Sequence, residues 1–391
     1  MLKLHLVISL LLVATLLLTA CMPVSRAPSI ASDAGAMRSI ILTAFGDSAG
    51  TFGETQPFLQ ALQKRVDRTT ESAFCEGVYE GELSGQPVVV VTTGTGADNA
   101  GPCMQELLYW YGPHVKEVIW SGIGGVTPAV GGLVDDFGQR RPDATPVMIG
   151  DVCISALTWN WDLHFSSVSD WRAARTDSAP YDPAGGWWPM KNSDGSSDVL
   201  GFDNVQQFVI ADPGLADELL QAAAQVTWPA MDDGVRAKVE HFFAPDQVRP
   251  VRVFDYTQCA EVAGNNFWHG AVESKLARQY LASLISTAGF AQVQETDVVT
   301  FSAMEAAAWM SVLARWNAHH GAQIPMAVIR GASNYDQVAL DATGNPAPGE
   351  DGRPLTAMAD IKEDFKEAGA SFAWGNAARP VMKLFELRSA R

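Results

Sequence analysis

Positive charge is scarce in this chain. Its 391 residues carry 27 Lys and Arg against 44 Asp and Glu, a formal net charge of −17. Nucleic acid and anionic lipid both need a basic surface, so neither is expected as an electrostatic partner. Metal-ligand patterns are missing too: seven histidines are scattered, and five cysteines match no zinc spacing, so no metal is expected. No internal repeat recurs along the chain, which excludes a solenoid or propeller. Long apolar runs are confined to Leu4–Leu18, which is short for a membrane span.

What is present begins with that run. Met1-Leu-Lys3 precedes it and Thr19-Ala20-Cys21 follows it, the layout of an export signal ending in a lipobox. The segment resembles bacterial lipoprotein precursors, whose cysteine is lipidated; a plain secretory signal is the alternative. The resemblance implies a signal peptide over 1–21, a lipid anchor at Cys21 and a tether over 22–38 that contains Pro and Ser. The chain is then expected in the cell envelope, periplasmic or outer-facing, with membrane contact through its anchor alone. In an oxidising compartment Cys75, Cys103, Cys153 and Cys259 can form two disulfides in any of three pairings.

With 47% hydrophobic residues, the rest can bury one large core. Strand patterns fall near 39–46, 87–93, 115–122, 146–156, 249–263, 296–302 and 324–332. Helical patterns fall near 54–66, 97–111, 214–225, 271–287, 303–320, 359–370 and 376–387. The alternation predicts an α/β fold over 39–391, with a mixed central β-sheet flanked by helices on both faces. Residues 157–205, rich in Trp, read as an insertion loop, and Gly344–Thr356 as a second irregular stretch.

Two segments carry most of the chemistry. An apolar strand pattern ending at Phe301 runs into Ser-Ala-Met304-Glu305 and then a helix. Glu305 thus stands at a helix start, where unpaired N–H groups and the dipole favour an anion. A second buried strand ends in Ser333-Asn334-Tyr335-Asp336. Polar residues at the carboxyl ends of adjacent strands are where open α/β sheets place ligands. Gly94-Thr95-Gly96 opens another helix, yet it lacks the third glycine of a dinucleotide fingerprint.

Together with Gly264-Asn265-Asn266-Phe267-Trp268-His269-Gly270 and Thr92-Thr93-Gly94-Thr95-Gly96, these stretches resemble the nucleoside phosphorylase superfamily. That superfamily includes the methylthioadenosine/S-adenosylhomocysteine nucleosidases, and the nearest likeness is to the purine nucleoside permease branch. The resemblance spans about Ser39 to Leu340 with gaps. It implies that Glu305, beside Met304, accepts hydrogen bonds from ribose hydroxyls, and that Phe267 stacks on a purine. It places Asn266, Ser333, Thr93, Gly94 and Gly124 in the substrate pocket. Asn334 stands where the nucleosidases carry an acidic aspartate; the permease branch likewise has asparagine there. An amide can donate to N7 of the base but cannot deliver a proton. Asp336 could substitute as the acid if its strand persists. Glu54 resembles the glutamate that positions the attacking water.

Phe45-Gly46-Asp47-Ser48 also resembles the first block of GDS-type esterases, but no Asp-x-x-His accompanies the last histidines, His319 and His320. A phosphorylase needs cations for phosphate, and no arginine lies beside Gly94-Thr-Gly96 or Ser121-Gly122-Ile-Gly124-Gly125. This tilts the reading toward water. Inorganic phosphate stays a candidate co-substrate through Arg330 or an arginine from a neighbouring subunit; no other cofactor is expected. The function implied is cleavage of the N-glycosidic bond of a purine-type nucleoside, a neutral small molecule suited to an acidic surface. The alternative is a nucleoside-binding or uptake lipoprotein without chemistry. The resemblance further implies a homo-oligomer.

Overall fold

The computed structural model describes residues 36–135, 140–141, 143–166, 187–190, 192, 194, 196, 206–265, 270–340, 347 and 368–391. The signal segment with Cys21, nearly all of the tether, Asn266, Phe267 and most of 157–205 and 344–356 lie outside them.

Strands β1 (Arg38–Thr43), β2 (Gln63–Asp67), β3 (Gly77–Leu83), β4 (Gln86–Thr92) and β5 (Val115–Val126) build the first half of the sheet. β6 (Val152–Ser155), β7 (Leu157–Asn160), a small pair β8 (His164–Ser166) and β9 (Trp187–Pro189), and β10 (Phe208–Ile210) follow. The last strands are β11 (Val253–Phe254), β12 (Cys259–Ala263), β13 (Val299–Ala303) and β14 (Met326–Tyr335). Helices are α1 (Gln56–Ala61), α2 (Ala97–Tyr111), α3 (Pro213–Ala223), α4 (Asp233–Glu240), α5 (Ala271–Thr287), α6 (Ala306–His320) and α7 (Ala368–Ser389).

The mixed sheet runs β10-β7-β12-β13-β5-β1-β4-β3-β2, with β14 pairing both β5 and β6. β1 and β14 are buried at every position, and β5 at all but one, so helices must cover both faces. One layer is the α2–α6 pair; α3 and α7 form another, with α7 along β14 and β5. Local signals explain several ends. Asp212 caps α3 by accepting from the Leu215 N–H at 2.8 Å ahead of Pro213, and α6 stops at Gly321 in the left-handed region.

The sheet also curls back on itself. β5 pairs with β13, β13 with β12, β12 with β7, and β7 continues from β6 through Ala156. β6 pairs with β14, and β14 returns to β5. This closed, distorted barrel has β12, β13 and β14 converging on the carboxyl end of β5.

Some sequence expectations shift. The helix expected over 54–66 ends at Ala61, and Gln63–Asp67 is an exposed edge strand against β3. Leu59, Leu62 and Val66 imitate a helical stripe, but Lys64 at φ 51 breaks it with a bulge. The strand expected over 249–263 divides into β11 and β12 at a turn where Asp255 accepts from the Thr257 N–H. Trp159 and Trp161, read as part of an insertion, are buried against each other and Tyr280. The cysteines pair as Cys75–Cys103 and Cys153–Cys259.

Candidate functional site

A cavity of about 310 Å³ opens where β1, β5, β13 and β14 end. Glu54, Met304, Glu305, Ser333, Asn334 and Gly124 all line it, although they come from distant parts of the chain.

Glu54 reaches the cavity through a loop that closes on itself. After β1, Gly46 and Gly53 bridge, and the Thr55 N–H donates to the Phe45 carbonyl. Gly53 has φ +90, and a Cβ there would lie 2.6 Å from the Gly46 Cα, so only glycine permits the crossing. The chain thus returns Glu54 beside Ala44. Its Oε2 accepts the Ala44 N–H and its Oε1 the Ile123 N–H, each at 2.6 Å. Burial pushes the Glu54 carboxyl up to about 7; Arg330 and the two N–H donors oppose that, and Glu305 adds to it. Each carboxylate oxygen spends one acceptor site, so two remain for a ligand.

Glu305 is the N-cap residue of α6. Its Oε1 accepts the Gly96 N–H at 3.1 Å, at the start of α2, and its Oε2 accepts from Arg330 at 3.0 Å and the Met304 N–H at 3.3 Å. Three of about four acceptor sites are therefore occupied. One acceptor site is left free, on Oε1, fewer than two hydroxyl donors would need.

Arg330 ties these groups together. It is buried in the middle of β14, donating from Nε and Nη2 to both oxygens of Glu261 on β12, from Nη2 to Glu305, and from Nη1 to the Ile123 carbonyl. Its guanidinium lies 5.0 Å from the Trp120 ring, and Trp120 stacks on Trp309 of α6. Burial would lower the Arg330 pKa, but Glu261, Glu305 and Glu54 outweigh it and hold the proton more firmly than usual. Burial raises Glu261 against the pull of Arg330. Four of the five guanidinium N–H groups are committed, so Arg330 is a clamp within the wall and has little left for a phosphate.

Other predicted residues fall elsewhere. The Thr93 hydroxyl bonds the Thr43 and Gly94 carbonyls, and the Gly94 N–H donates to Ala44, so both residues stitch strand ends while Thr95 lines the cavity. Asp336 does not reach the lining. β14 stops at Tyr335 after a register shift, and alternation no longer holds its side chain beside Asn334. Its carboxyl instead faces the hydroxyls of Thr127, Ser274 and Thr300; burial pushes it up to about 7 against Arg278 and those hydroxyls. Ser48 is exposed at its loop and outside the lining, as are His319 and His320, so the esterase reading finds no triad there. Asn266 and Phe267 lie outside the described residues; the neighbouring Asn265 accepts the Ala97 N–H at the start of α2.

Sequence reasoning missed Glu261 and Ser302. A signal existed for Glu261: it interrupts the apolar Cys-Ala-Glu-Val-Ala run as Arg330 interrupts Met-Ala-Val-Ile-Arg. Two opposite charges in buried strands need each other. Phe45 and Phe52 also line the cavity, packed edge-on against Trp374 from α7.

Neither a protein-family model nor a curated protein sequence matches the chain. Solved structures do. The 5′-methylthioadenosine/S-adenosylhomocysteine nucleosidase of Neisseria meningitidis is 14% identical, covering 90% of this chain and 99% of its own at a TM-score of 0.46. The S-adenosylhomocysteine nucleosidase of Streptococcus pyogenes is 13% identical over 90% of this chain and 98% of its own, with a TM-score of 0.47. The futalosine hydrolase of Helicobacter pylori is 14% identical over 88% and 97%, with a TM-score of 0.42.

Proposed function

We propose that this chain hydrolyses the N-glycosidic bond of a purine nucleoside, in the cell envelope and tethered through Cys21. The observation that carries the reading is the convergence of Glu54 and Glu305 on one cavity, locked by Arg330. Glu54 keeps two acceptor sites free and titrates near 7, which suits a general base at neutral pH. Glu305 bonds a ribose hydroxyl and fixes the sugar. Asn334 donates through Nδ2 to N7 of the base. As the C1′–N9 bond breaks, its electron pair leaves with the purine, and positive charge builds on the ribose ring. The buried carboxylates stabilise that charge because no water screens them. Water adds to C1′ and gives its proton to Glu54. The departing purine takes a proton from solvent, and Glu54 returns its own.

Hydrolysis is favoured over phosphorolysis because the described lining holds no Lys or Arg, and Arg330 is committed within the wall. The two disulfides suit an exported protein. One observation favours a second reading, a binding protein without chemistry: Asn334 supplies a hydrogen bond where an acid would supply a proton. Base release by wild type separates the two, and Glu54→Gln then tests the base. The hydrolase reading expects kcat to fall by about a hundredfold or more with KM little changed. Unchanged turnover in that variant would reject Glu54 as the base.

A further inference from the structure

Two links cross the inside of the barrel side by side. Arg330 on β14 stands directly opposite Cys153 on β6 in antiparallel register, so their side chains share one face, with Cβ atoms about 5 Å apart. Cys259 and Glu261 are two residues apart on β12 and share a face as well. Cys153 is bonded to Cys259, with Cα atoms 6.0 Å apart, and Arg330 grips the two Glu261 oxygens at 3.0 and 3.1 Å. Each link therefore starts from one of two facing residues and ends on one of two neighbouring inward residues of β12. Among the described residues no ladder joins β12 to β6 or β14, since its sheet partners are β7 and β13. The separation across the interior is thus set by side chains, one pair covalent and one ionic.

The two links differ in how they can fail. A buried carboxylate that loses its guanidinium takes up a proton, so the ionic link can open without unfolding the barrel. The covalent link cannot. Cys153, Cys259, Glu261 and Arg330 are at most 1% exposed, so water relieves neither. We propose that Cys153 and Cys259 are positioning residues, whose disulfide holds Glu261 on Arg330 and completes the charged wall of the cavity only in the oxidised chain. Forming the bond takes one hydrogen from each thiol; the two electrons and two protons pass to a disulfide oxidant, which becomes a dithiol. Without the bond β12 draws back, Glu261 loses its partner and Arg330 acts more fully on Glu54. The Glu54 carboxyl then gives up its proton at lower pH. What this does to catalysis rests on the hydrolase reading above; the position of Glu261 does not.

The test reads Glu54 directly, by carboxyl carbon-13 NMR of the full-length chain across pH, with Glu54→Gln assigning the signal. Wild type is compared with Cys153→Ala/Cys259→Ala and with Cys75→Ala/Cys103→Ala, which frees α2 from the segment before β3. Each is made with and without Glu261→Gln. Losing Cys153–Cys259 should lower the Glu54 midpoint by about half a pH unit or more, and losing Cys75–Cys103 by less than about 0.2. In the Glu261→Gln background the first shift should vanish. No shift, an equal shift in both disulfide variants, or one that persists with Glu261→Gln overturns the assignment. Base release is followed alongside. An acidic limb that stays in place while the NMR midpoint moves supports the positioning role and rejects Glu54 as the base. Should the alanine pair fail to fold, a dithiothreitol titration of wild type and Glu261→Gln decides by linkage, each disulfide being read by alkylation and mass spectrometry. Glu261→Gln should make Cys153–Cys259 reducible at about threefold lower reductant and leave Cys75–Cys103 unchanged. An unchanged response, or an equal one in both bonds, overturns the proposal.

Discussion

Arg330 faces more negative charge than it can neutralise: Glu261 and Glu305 bond it directly, and Glu54 stands near enough to bias its titration. Removing the cation would strand these carboxylates in a dry wall. Arg330→Met should therefore destabilise the fold by about 3–5 kcal/mol, read as a lowered denaturant midpoint. Glu261→Gln does the opposite electrostatically. With one negative charge gone, Arg330 acts more fully on Glu54, whose proton is released more easily. In the proposed reaction Glu54 must be ionised to accept a proton from water, so activity should rise with pH through about 7 in wild type. In Glu261→Gln that acidic limb should move to lower pH, and a profile that stays in place would show Glu261 to be structural only. In the proposed reaction Asn334→Asp introduces an acid where the base edge would lie, and it should raise the rate of base release.

At the scale of elements, the glycine turns decide whether the wall can close. Gly122 on β5 sits where a Cβ would lie 2.6 Å from the Glu54 Oε1, 2.7 Å from the Arg330 Nη1 and 2.8 Å from the Trp120 Nε1. None of these groups can move away without breaking a buried contact. Gly122→Ala should cut turnover by at least about tenfold and lower the thermal midpoint, because both depend on one packed cluster. An active, equally stable Gly122→Ala variant would show the cluster to be softer than its packing indicates. Elements with long, unbroken patterns were legible in the sequence: α2 and α5 run over 97–111 and 271–287, as their apolar periodicity and flanking glycines predict. β2 was not, since its exposed residues carry no strand alternation and gain their pairing only from β3. Likewise β7 and β10 are too short to signal alone, and the sheet's curl depends on pairings among strands far apart in sequence. Glu54, Glu305 and Asn334 could be read from motifs because each sits at an element end. Ser302 could not, because its place in the cavity comes from the register across Gly125.

For the molecule as a whole, buried carboxyls make stability depend on pH in an unusual direction. Glu54 and Asp336 both titrate near 7 when folded, above their ordinary values of 4.5 and 3.8. Between those values and 7 the folded chain holds more protons than the unfolded one. For these groups stability is highest at the acidic side of that window and falls as pH rises through about 7. Asp336→Asn removes one such group from a nest of hydroxyls outside the cavity lining. The variant should show a smaller drop in thermal midpoint between about pH 5.5 and about pH 8 than wild type. An unchanged drop would place the titration elsewhere. The acidic surface, at a net charge of −17, suits a neutral substrate at this site.

The most direct measurement incubates the full-length chain with purine nucleosides in phosphate-free buffer and again with inorganic phosphate, following free base, with Glu54→Gln alongside. The account predicts base release at the same rate in both buffers and its loss in Glu54→Gln. Release that requires phosphate, or that survives unchanged in Glu54→Gln, would contradict it.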